Sequence, residues 1–209
     1  MMLDYRIIKN TQHKTSNWSG GTTTELCIYP EDSSYQDRDF TWRISSATVD
    51  LETSKFTVLS DYERIIMILK GKLFISHDGI NSKTLNKLEQ YEFDGGINTD
   101  SIGKVIDYNL MMRKGLCSGK VEVVQLEPKS TLTTVFEDEE IEKFDQCIEV
   151  YYNISEKLKL SINESSTIIL ENKDILVVNK KNNSTLFECY NGCEQDAVII
   201  KSSILFNNK

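Results

Sequence analysis

Histidine is almost absent from this 209-residue chain, which contains only His13 and His77. Zinc, manganese and non-haem iron sites need two or more imidazole or thiolate ligands, together with carboxylates. No His-x-His pair occurs, and His77 stands alone in a segment typical of a turn or a rim. The sequence therefore predicts no metal ion and no other cofactor. Ser76, His77 and Asp78 are contiguous, so alternation along a strand points their side chains in different directions. We therefore do not expect them to form a catalytic triad.

Runs of basic residues are missing as well. The chain carries 24 Lys and Arg against 32 Asp and Glu, a net charge of −8. Proteins that bind nucleic acids or anionic membranes gather cations into patches, so we expect neither partner. The longest apolar run, Ile65–Leu69, is far too short to span a bilayer, and the first residues lack the apolar core of a signal peptide. These absences predict a cytoplasmic protein.

Two further kinds of site lack their motifs. The five cysteines include no C-x-x-C pair, which a redox or metal site would favour, so we interpret them as ordinary reduced thiols. Neither G-x-x-x-x-G-K-[ST] nor G-x-G-x-x-G occurs before a helical pattern. This excludes nucleotide binding by a phosphate loop.

Proline is limited to Pro30 and Pro128. Most apolar residues fall in short runs broken by Gly, Asn, Asp or Ser, a pattern typical of strands. Only residues 83–90 and Asp138–Phe144 resemble helices. The regular spacing of the runs predicts an all-β sandwich or barrel.

A weak internal repeat divides the chain. Ile68–Ile75 and Asn153–Leu160 each have the pattern of a strand, a charged tight turn and a second strand. This pattern resembles a cupin half-barrel, so the repeat predicts a bicupin of two double-stranded β-helix, jelly-roll-like half-barrels. We expect the halves at residues 1–126 and 127–209, packed as one compact unit. The acidic segment Glu137–Glu140 fits a solvated connector.

Arginine is scarce, and its placement is informative. Only five of the 24 cationic residues are Arg, and Arg43, Arg64 and Arg113 lie in predicted strands. An Arg inside a barrel strand is costly unless a carboxylate or a ligand pairs with it. Alternation in Val105–Arg113 also places several polar residues on one face: Asp107, Asn109 and Arg113. Two interpretations stay open, a pocket for a small anionic or polar molecule and an internal Arg–carboxylate network with Glu25, Glu63 or Asp107 as partners.

Several motifs, in their order and spacing, resemble the HutD/Ves family of bacterial proteins. The most specific set is W-R-I-S at Trp42–Ser45, E-R-I at Glu63–Ile65 and D-Y-N-L-M-M-R at Asp107–Arg113. The resemblance covers about residues 5–126 clearly, and the other matching segments are Asn17–Leu26, Phe56–Leu59, Leu69–Leu73 and Tyr91–Gly96.

The chain departs from the family pattern at two places. Leu59–Tyr62 replaces a common Pro-Gly before the Arg64 strand, and threonines stand where the family usually has an Arg near Thr23 or Thr24. The mouth of the pocket and its ligand preference are expected to differ accordingly.

The resemblance implies a compact, metal-free, cytoplasmic bicupin. Some members are linked to histidine-utilisation genes, with a suggested role in sensing a pathway intermediate, and others are described as stress-induced. It makes a carboxylate such as a formylated glutamate or urocanate a reasonable ligand. The residues expected to bind or support the ligand are Glu25, Trp42, Arg43, Glu63, Arg64, Asp107, Asn109 and Arg113.

Three functions remain open at this level. The leading hypothesis is a regulatory protein that binds a small polar or carboxylate metabolite without turnover. The alternative is a metal-independent enzyme, such as an isomerase or hydrolase, with Glu25, Glu63 or Asp107 as general base. A third possibility is a structural or partner-binding domain in which the arginines only stabilise the barrel. A homodimer is compatible with exposed sheet edges, but no residue selects it.

Overall fold

The computed structural model describes residues 4–135, 144–162, 166–180 and 186–207. Within these ranges the chain consists mainly of antiparallel strands, and its one helical segment is the 3-10 turn Asn10–Gln12. The described residues contain no helix with the length and apolar character needed to cross a membrane.

The strands up to residue 113 are β1 (Asp4–Ile8), β2 (Lys14–Trp18), β3 (Gly21–Tyr29), β4 (Trp42–Val49), β5 (Thr53–Lys55), β6 (Tyr62–Lys70), β7 (Leu73–His77), β8 (Asn81–Leu85), β9 (Gln90–Asp94), β10 (Thr99–Ile102) and β11 (Val105–Arg113). The later strands are β12 (Cys117–Leu126), β13 (Thr131–Val135), β14 (Gln146–Asn153), β15 (Leu158–Ile162), β16 (Ser166–Leu170), β17 (Ile175–Lys180), β18 (Leu186–Tyr190) and β19 (Ala197–Phe206).

The strands form two units with two sheets each. The N-terminal unit, His13–Ser118, has the strand orders β2-β3-β4-β11-β6-β9 and β5-β10-β7-β8. The C-terminal unit contains the described residues up to Gln12 and from Gly119 onward, with the orders β1-β17-β14-β19-β12 and β13-β18-β15-β16. Each unit thus has the paired antiparallel sheets of a jelly-roll half-barrel.

Each unit buries an apolar core of its own, because one face of every sheet must be removed from water. The main core of the N-terminal unit consists of Val49, Ile66, Ile68, Leu73, Ile75, Leu85, Phe93 and Val105. That of the C-terminal unit includes Leu126, Tyr151, Leu158, Leu160, Leu170, Leu176, Val178 and Ile199.

The first strand belongs to the C-terminal unit. β1 pairs antiparallel with β17, and the turn after β1 is fixed by Asp174, which is only 1 % exposed. Its carboxylate accepts hydrogen bonds from Asn10 N at 2.9 Å, Lys9 Nζ at 2.7 Å and Glu171 N at 3.0 Å. Burial opposes ionisation of Asp174, but these bonds together outweigh it and lower its pKa.

We expect Asp174→Ala to lower the free energy of unfolding by about 3 kcal/mol, because it removes three hydrogen bonds that a buried carboxylate accepts. Since the folded pKa of Asp174 is lowered, its contribution is complete at neutral pH and is lost as the pH falls through that pKa. Urea unfolding at pH 7 and at low pH measures both effects. Asp196→Ala, at an exposed position, is the control, and equal loss in both variants would contradict this role.

Two features differ from the sequence-based expectations. Residues 83–90 do not form a helix: the polar strand β8 ends at Leu85, and a turn follows. The boundary between the units lies at Ser118/Gly119 instead of after residue 126, and β1 crosses to the second unit. The connector Glu137–Glu140 and the helix expected at Asp138–Phe144 lie outside the described residues, apart from Phe144 itself.

Candidate functional site

Three adjacent strands of the N-terminal unit align polar side chains in rows. β11 lies between β4 and β6, and Met111 pairs with Arg43 on one side and with Arg64 on the other. Directly paired residues of neighbouring strands point to the same face of a sheet. Arg43 and Arg64 therefore project from one sheet surface in a single row.

Two further rows continue this surface along β11. Asn109 lies beside Ser45, and Asp107 lies beside Ala47. The pairing of β11 with β6 shifts its register directly before Asp107, a β-bulge that locally re-aims the side chains. Asp107 lies four positions before Met111, so the basic and acidic ends of the surface lie about 13 Å apart along the strand.

These rows line a cavity of about 260 Å³, which is large enough for a small organic molecule. Ser54–Thr57, at the end of β5 and just beyond it, contributes to the lining, together with the aromatic side chains of Trp18 and Tyr35. All of these residues belong to the N-terminal unit.

Arg43 has one carboxylate partner. Its Nε donates a hydrogen bond of 2.8 Å to Glu25 Oε2, and its guanidinium carbon lies 4.6 Å from the centre of the Tyr35 ring. The register of β3 against β4 shifts just after Glu25, so a second bulge stands beside this ion pair. Among the residues that the structure describes, the two terminal nitrogens of Arg43 have no hydrogen-bond acceptor.

Arg64 is the unusual residue of the cavity. It is only 6 % exposed, and within the described ranges its guanidinium makes no hydrogen bond and no ion pair. Its charge instead lies 4.9 Å from the ring centre of Phe56 and 5.2 Å from that of Phe93. Burial lowers the pKa of Arg64 to about 10, so the side chain remains a cation at neutral pH.

Asp107 is the acidic counterpart of Arg64. Its Oδ1 accepts a hydrogen bond of 3.1 Å from Ala47 N, whereas its second oxygen has no donor in the described part of the chain. Burial raises the pKa of Asp107 to about 6, although the Ala47 N–H and the charge of Arg64 act in the opposite direction. In the same part of the chain, the buried Oδ1 of Asn109 also has no donor.

Glu25 is not part of the cavity lining and reaches the site only as the partner of Arg43. Three other predicted residues also lie outside the lining: Trp42, Glu63 and Arg113. Trp42 is fully buried and stacks on Tyr29 with ring centres 5.9 Å apart. Glu63 directly precedes Arg64 in β6, so alternation points it to the opposite face.

Arg113 also lies outside the lining and supports the loop before β4. Its Nε donates to Phe40 O at 3.1 Å, and its Nη2 donates to Tyr62 Oη at 2.6 Å and to Arg38 O. Its polar contacts are thus to protein oxygens, and its position is that of a structural residue.

Three aromatic residues of the lining were not among the predicted site residues: Trp18, Tyr35 and Phe56. Trp18 carried the clearest signal, because it precedes Ser19-Gly20. A Cβ atom on Gly20 would lie 2.0 Å from the Trp18 ring, so glycine lets the ring fold over this turn. Tyr35 lies in a loop between β3 and β4 and showed no periodic pattern.

His77 differs from the expected turn or rim residue. It is buried at the end of β7, its Nδ1 lies 2.9 Å from Thr99 Oγ1, and it contacts the Phe93 ring. No group of three or more His, Cys, Asp or Glu side chains that could hold a metal ion occurs among the described residues.

The family model that matches the chain is HutD, over residues 10–194. The chain belongs to the HutD family. No curated protein matches it significantly.

Solved structures similar to this HutD-family protein include two from pseudomonads. One is PA5104 from Pseudomonas aeruginosa PAO1, a conserved protein of unknown function, at TM-score 0.80 and 19 % identity over 96 % of this chain and 98 % of that one. The other is HutD from Pseudomonas fluorescens SBW25, at TM-score 0.73 and 15 % identity over 98 % and 100 % of the two chains.

A third similar structure is oxalate decarboxylase OxdC from Bacillus subtilis, at TM-score 0.67 and 8 % identity. The match covers 97 % of this chain and 77 % of that one. These similarities confirm the predicted all-β bicupin fold of this HutD-family protein.

We expect Arg64→Met to raise the free energy of unfolding by about 1–2 kcal/mol. A buried cation without an acceptor costs several kcal/mol, and the contacts with Phe56 and Phe93 return only part of that. Arg113→Met is the contrasting variant and should lower stability by about 2–4 kcal/mol, because it removes the charge-assisted hydrogen bonds to Phe40 O, Arg38 O and Tyr62 Oη. Denaturant unfolding measures both, and a clear loss of stability in Arg64→Met would make Arg64 a structural residue.

Asp107→Asn should stabilise the protein at high pH only. The folded pKa of about 6 lies above that of an unfolded Asp, so ionising Asp107 destabilises the folded state between about pH 4 and pH 6 and fully above that range. We expect the free energy of unfolding of the variant to exceed that of the native protein by up to about 3 kcal/mol at pH 8 and to equal it near pH 4. Glu92→Gln, at an exposed position of β9, should show no such pH-dependent gain. The same difference in stability between Asp107→Asn and the native protein at both pH values would contradict the explanation.

Proposed function

We propose that this HutD-family protein binds a small carboxylate metabolite in the cavity of its N-terminal unit, without a metal ion. The observation that carries the proposal is Arg64, a buried guanidinium with no acceptor among the described residues. A protein retains such a cation at a cost in stability. An anionic ligand offsets this cost by supplying the missing acceptor.

The position of Arg43 supports the same ligand class. It flanks Met111 opposite Arg64, and Glu25 occupies only its Nε. A carboxylate between two guanidinium groups can accept several charge-assisted hydrogen bonds with defined geometry. The apolar and aromatic part of the lining suits the carbon skeleton of the metabolite.

The biological role that we infer is regulatory and cytoplasmic, within histidine utilisation or a stress response. Family membership supports this inference, and so does the state of the candidate bases. Glu25 is held by Arg43, and Glu63 faces away from the cavity. A bound metabolite therefore meets few groups that could transform it.

The second candidate is a metal-independent enzyme, and one observation favours it. Asp107 lines the cavity with a pKa of about 6, which suits a general base near neutral pH. Turnover that survives a chelator and disappears in Asp107→Asn would establish this function. Binding of the same compound without product formation would exclude it.

Binding is tested by thermal shift and calorimetry against formate, acetate, urocanate and N-formylglutamate, each with and without a chelator. Formate is the smallest of these carboxylates, and the P. fluorescens HutD structure was determined in a formate condition. A ligand at 100 times its dissociation constant adds about 2.7 kcal/mol of stability. Arg64→Met should weaken binding about 10- to 100-fold, the effect of losing a charged hydrogen bond.

Glu63→Gln is the matched control, because it changes the charge of the adjacent residue without touching the cavity lining. The two tryptophans provide a second readout. In Trp42→Phe the remaining Trp18 lines the cavity, so binding should change its fluorescence. Equal affinity of the native protein and Arg64→Met for every bound compound would refute the proposed site.

A further inference from the structure

The cavity contains two opposite charges that do not neutralise each other. Arg64 and Asp107 are both buried, yet within the described residues no ion pair or hydrogen bond joins them. Arg43 differs, because Glu25 already balances its charge through a 2.8 Å contact. Among the described residues, Arg64 and Asp107 thus remain as an unpaired cation and an unpaired anion on the same cavity wall.

A simple anionic ligand can pair with Arg64, but it provides no partner for Asp107. If a carboxylate binds at Arg64, Asp107 remains as a second buried negative charge inside the same small cavity. Like charges in a poorly solvated space repel strongly, and the second oxygen of Asp107 still has no donor in the described part of the chain. The ligand therefore needs a group that donates to Asp107.

The site for an anion and the site for a hydrogen-bond donor lie on different rows of the sheet. The arginines flank Met111, whereas Asp107 lies two rows further along β11, with Asn109 between them. The Oδ1 of Asn109 is another buried acceptor without a donor among the described residues. One end of the cavity wall thus offers donors to an anion, and the other end offers acceptors to an N–H group.

We propose that the ligand is a small zwitterion of the amino-acid class, with its carboxylate at Arg43 and Arg64 and its ammonium group at Asp107. This inference rests on the proposed function and narrows it from carboxylates in general to carboxylates that also carry an ammonium group. A zwitterion adds no net charge to the cavity, and it satisfies both buried ions at once.

The charged groups around Asp107 determine how binding depends on pH. Arg64 approaches it from β6, the Arg43–Glu25 pair lies on β4 and β3, and Lys55 of β5 and Tyr35 of the loop before β4 also line the cavity. Burial raises the pKa of Asp107 to about 6. An ammonium ligand needs ionised Asp107, so its affinity should rise with pH through about 6. The affinity of a plain carboxylate should fall over the same interval.

The test compares two matched series by calorimetry, using the full chain. The first series contains unbranched amino acids from glycine to 6-aminohexanoate, and the second contains the fatty acids of the same carbon number, from acetate to hexanoate. We expect at least one amino acid to bind about tenfold or more tightly than its matched fatty acid. In Asp107→Asn this preference should disappear, while Glu92→Gln should retain it.

The other outcomes separate this inference from the proposed function. Fatty acids that bind as tightly as the amino acids, with affinity falling as the pH rises, would overturn the zwitterion and leave the carboxylate site intact. An amino-acid preference that persists in Asp107→Asn would overturn the assignment of Asp107. If neither series nor the metabolite panel binds at millimolar concentration, both the inference and the proposed function fail.

Discussion

The central constraint of the N-terminal unit is a buried guanidinium group that has no acceptor among the described residues. Arg64 projects from near the start of β6 into a cavity where Asp107 and Asn109 are also incompletely paired among the described residues. A barrel interior filled with aliphatic side chains would be more stable. Glu25 contacts Arg43 beside a bulge of β3, whereas the regular register of β11 against β6 places Asp107 two rows away from Arg64. The open charge of Arg64 thus follows from the spacing of the polar rows along β11.

The sequence predicts the fold well where burial imposes a pattern. The expected strands at Val105–Arg113 and Thr131–Val135 coincide with β11 and β13. Three of the strands that were not expected, β2, β8 and β10, lack an apolar signature. All residues of β2 are exposed, β8 is almost entirely polar, and β10 buries Thr99 and Ser101. Pairing with a neighbouring strand forms such elements, and a single sequence does not reveal that pairing.

The candidate site was predictable in part for the same reason. Alternation correctly placed Arg43, Asp107 and Asn109 on inward faces, because side chains in a strand alternate regardless of tertiary context. It also grouped Arg113 with Asp107, although the strand ends there and backbone carbonyls of a loop capture the guanidinium group. Loop residues such as Tyr35 have no periodicity to interpret. Which arginine is satisfied by the protein, and which is left for a ligand, depends on contacts between distant segments.

The C-terminal unit also contains a buried charge, but there the protein itself supplies the partners. Glu149 is buried in β14, but it accepts a hydrogen bond from the Tyr151 hydroxyl and lies 3.2 Å from Lys201 Nζ on the neighbouring strand β19. These partners leave the carboxylate balanced, so its contacts join β14 to β19. A buried charge is therefore not by itself a sign of a binding site in this fold. The distinction lies in the missing partner among the described residues, and it is the basis for proposing a ligand in the unit that contains Arg64 and Asp107.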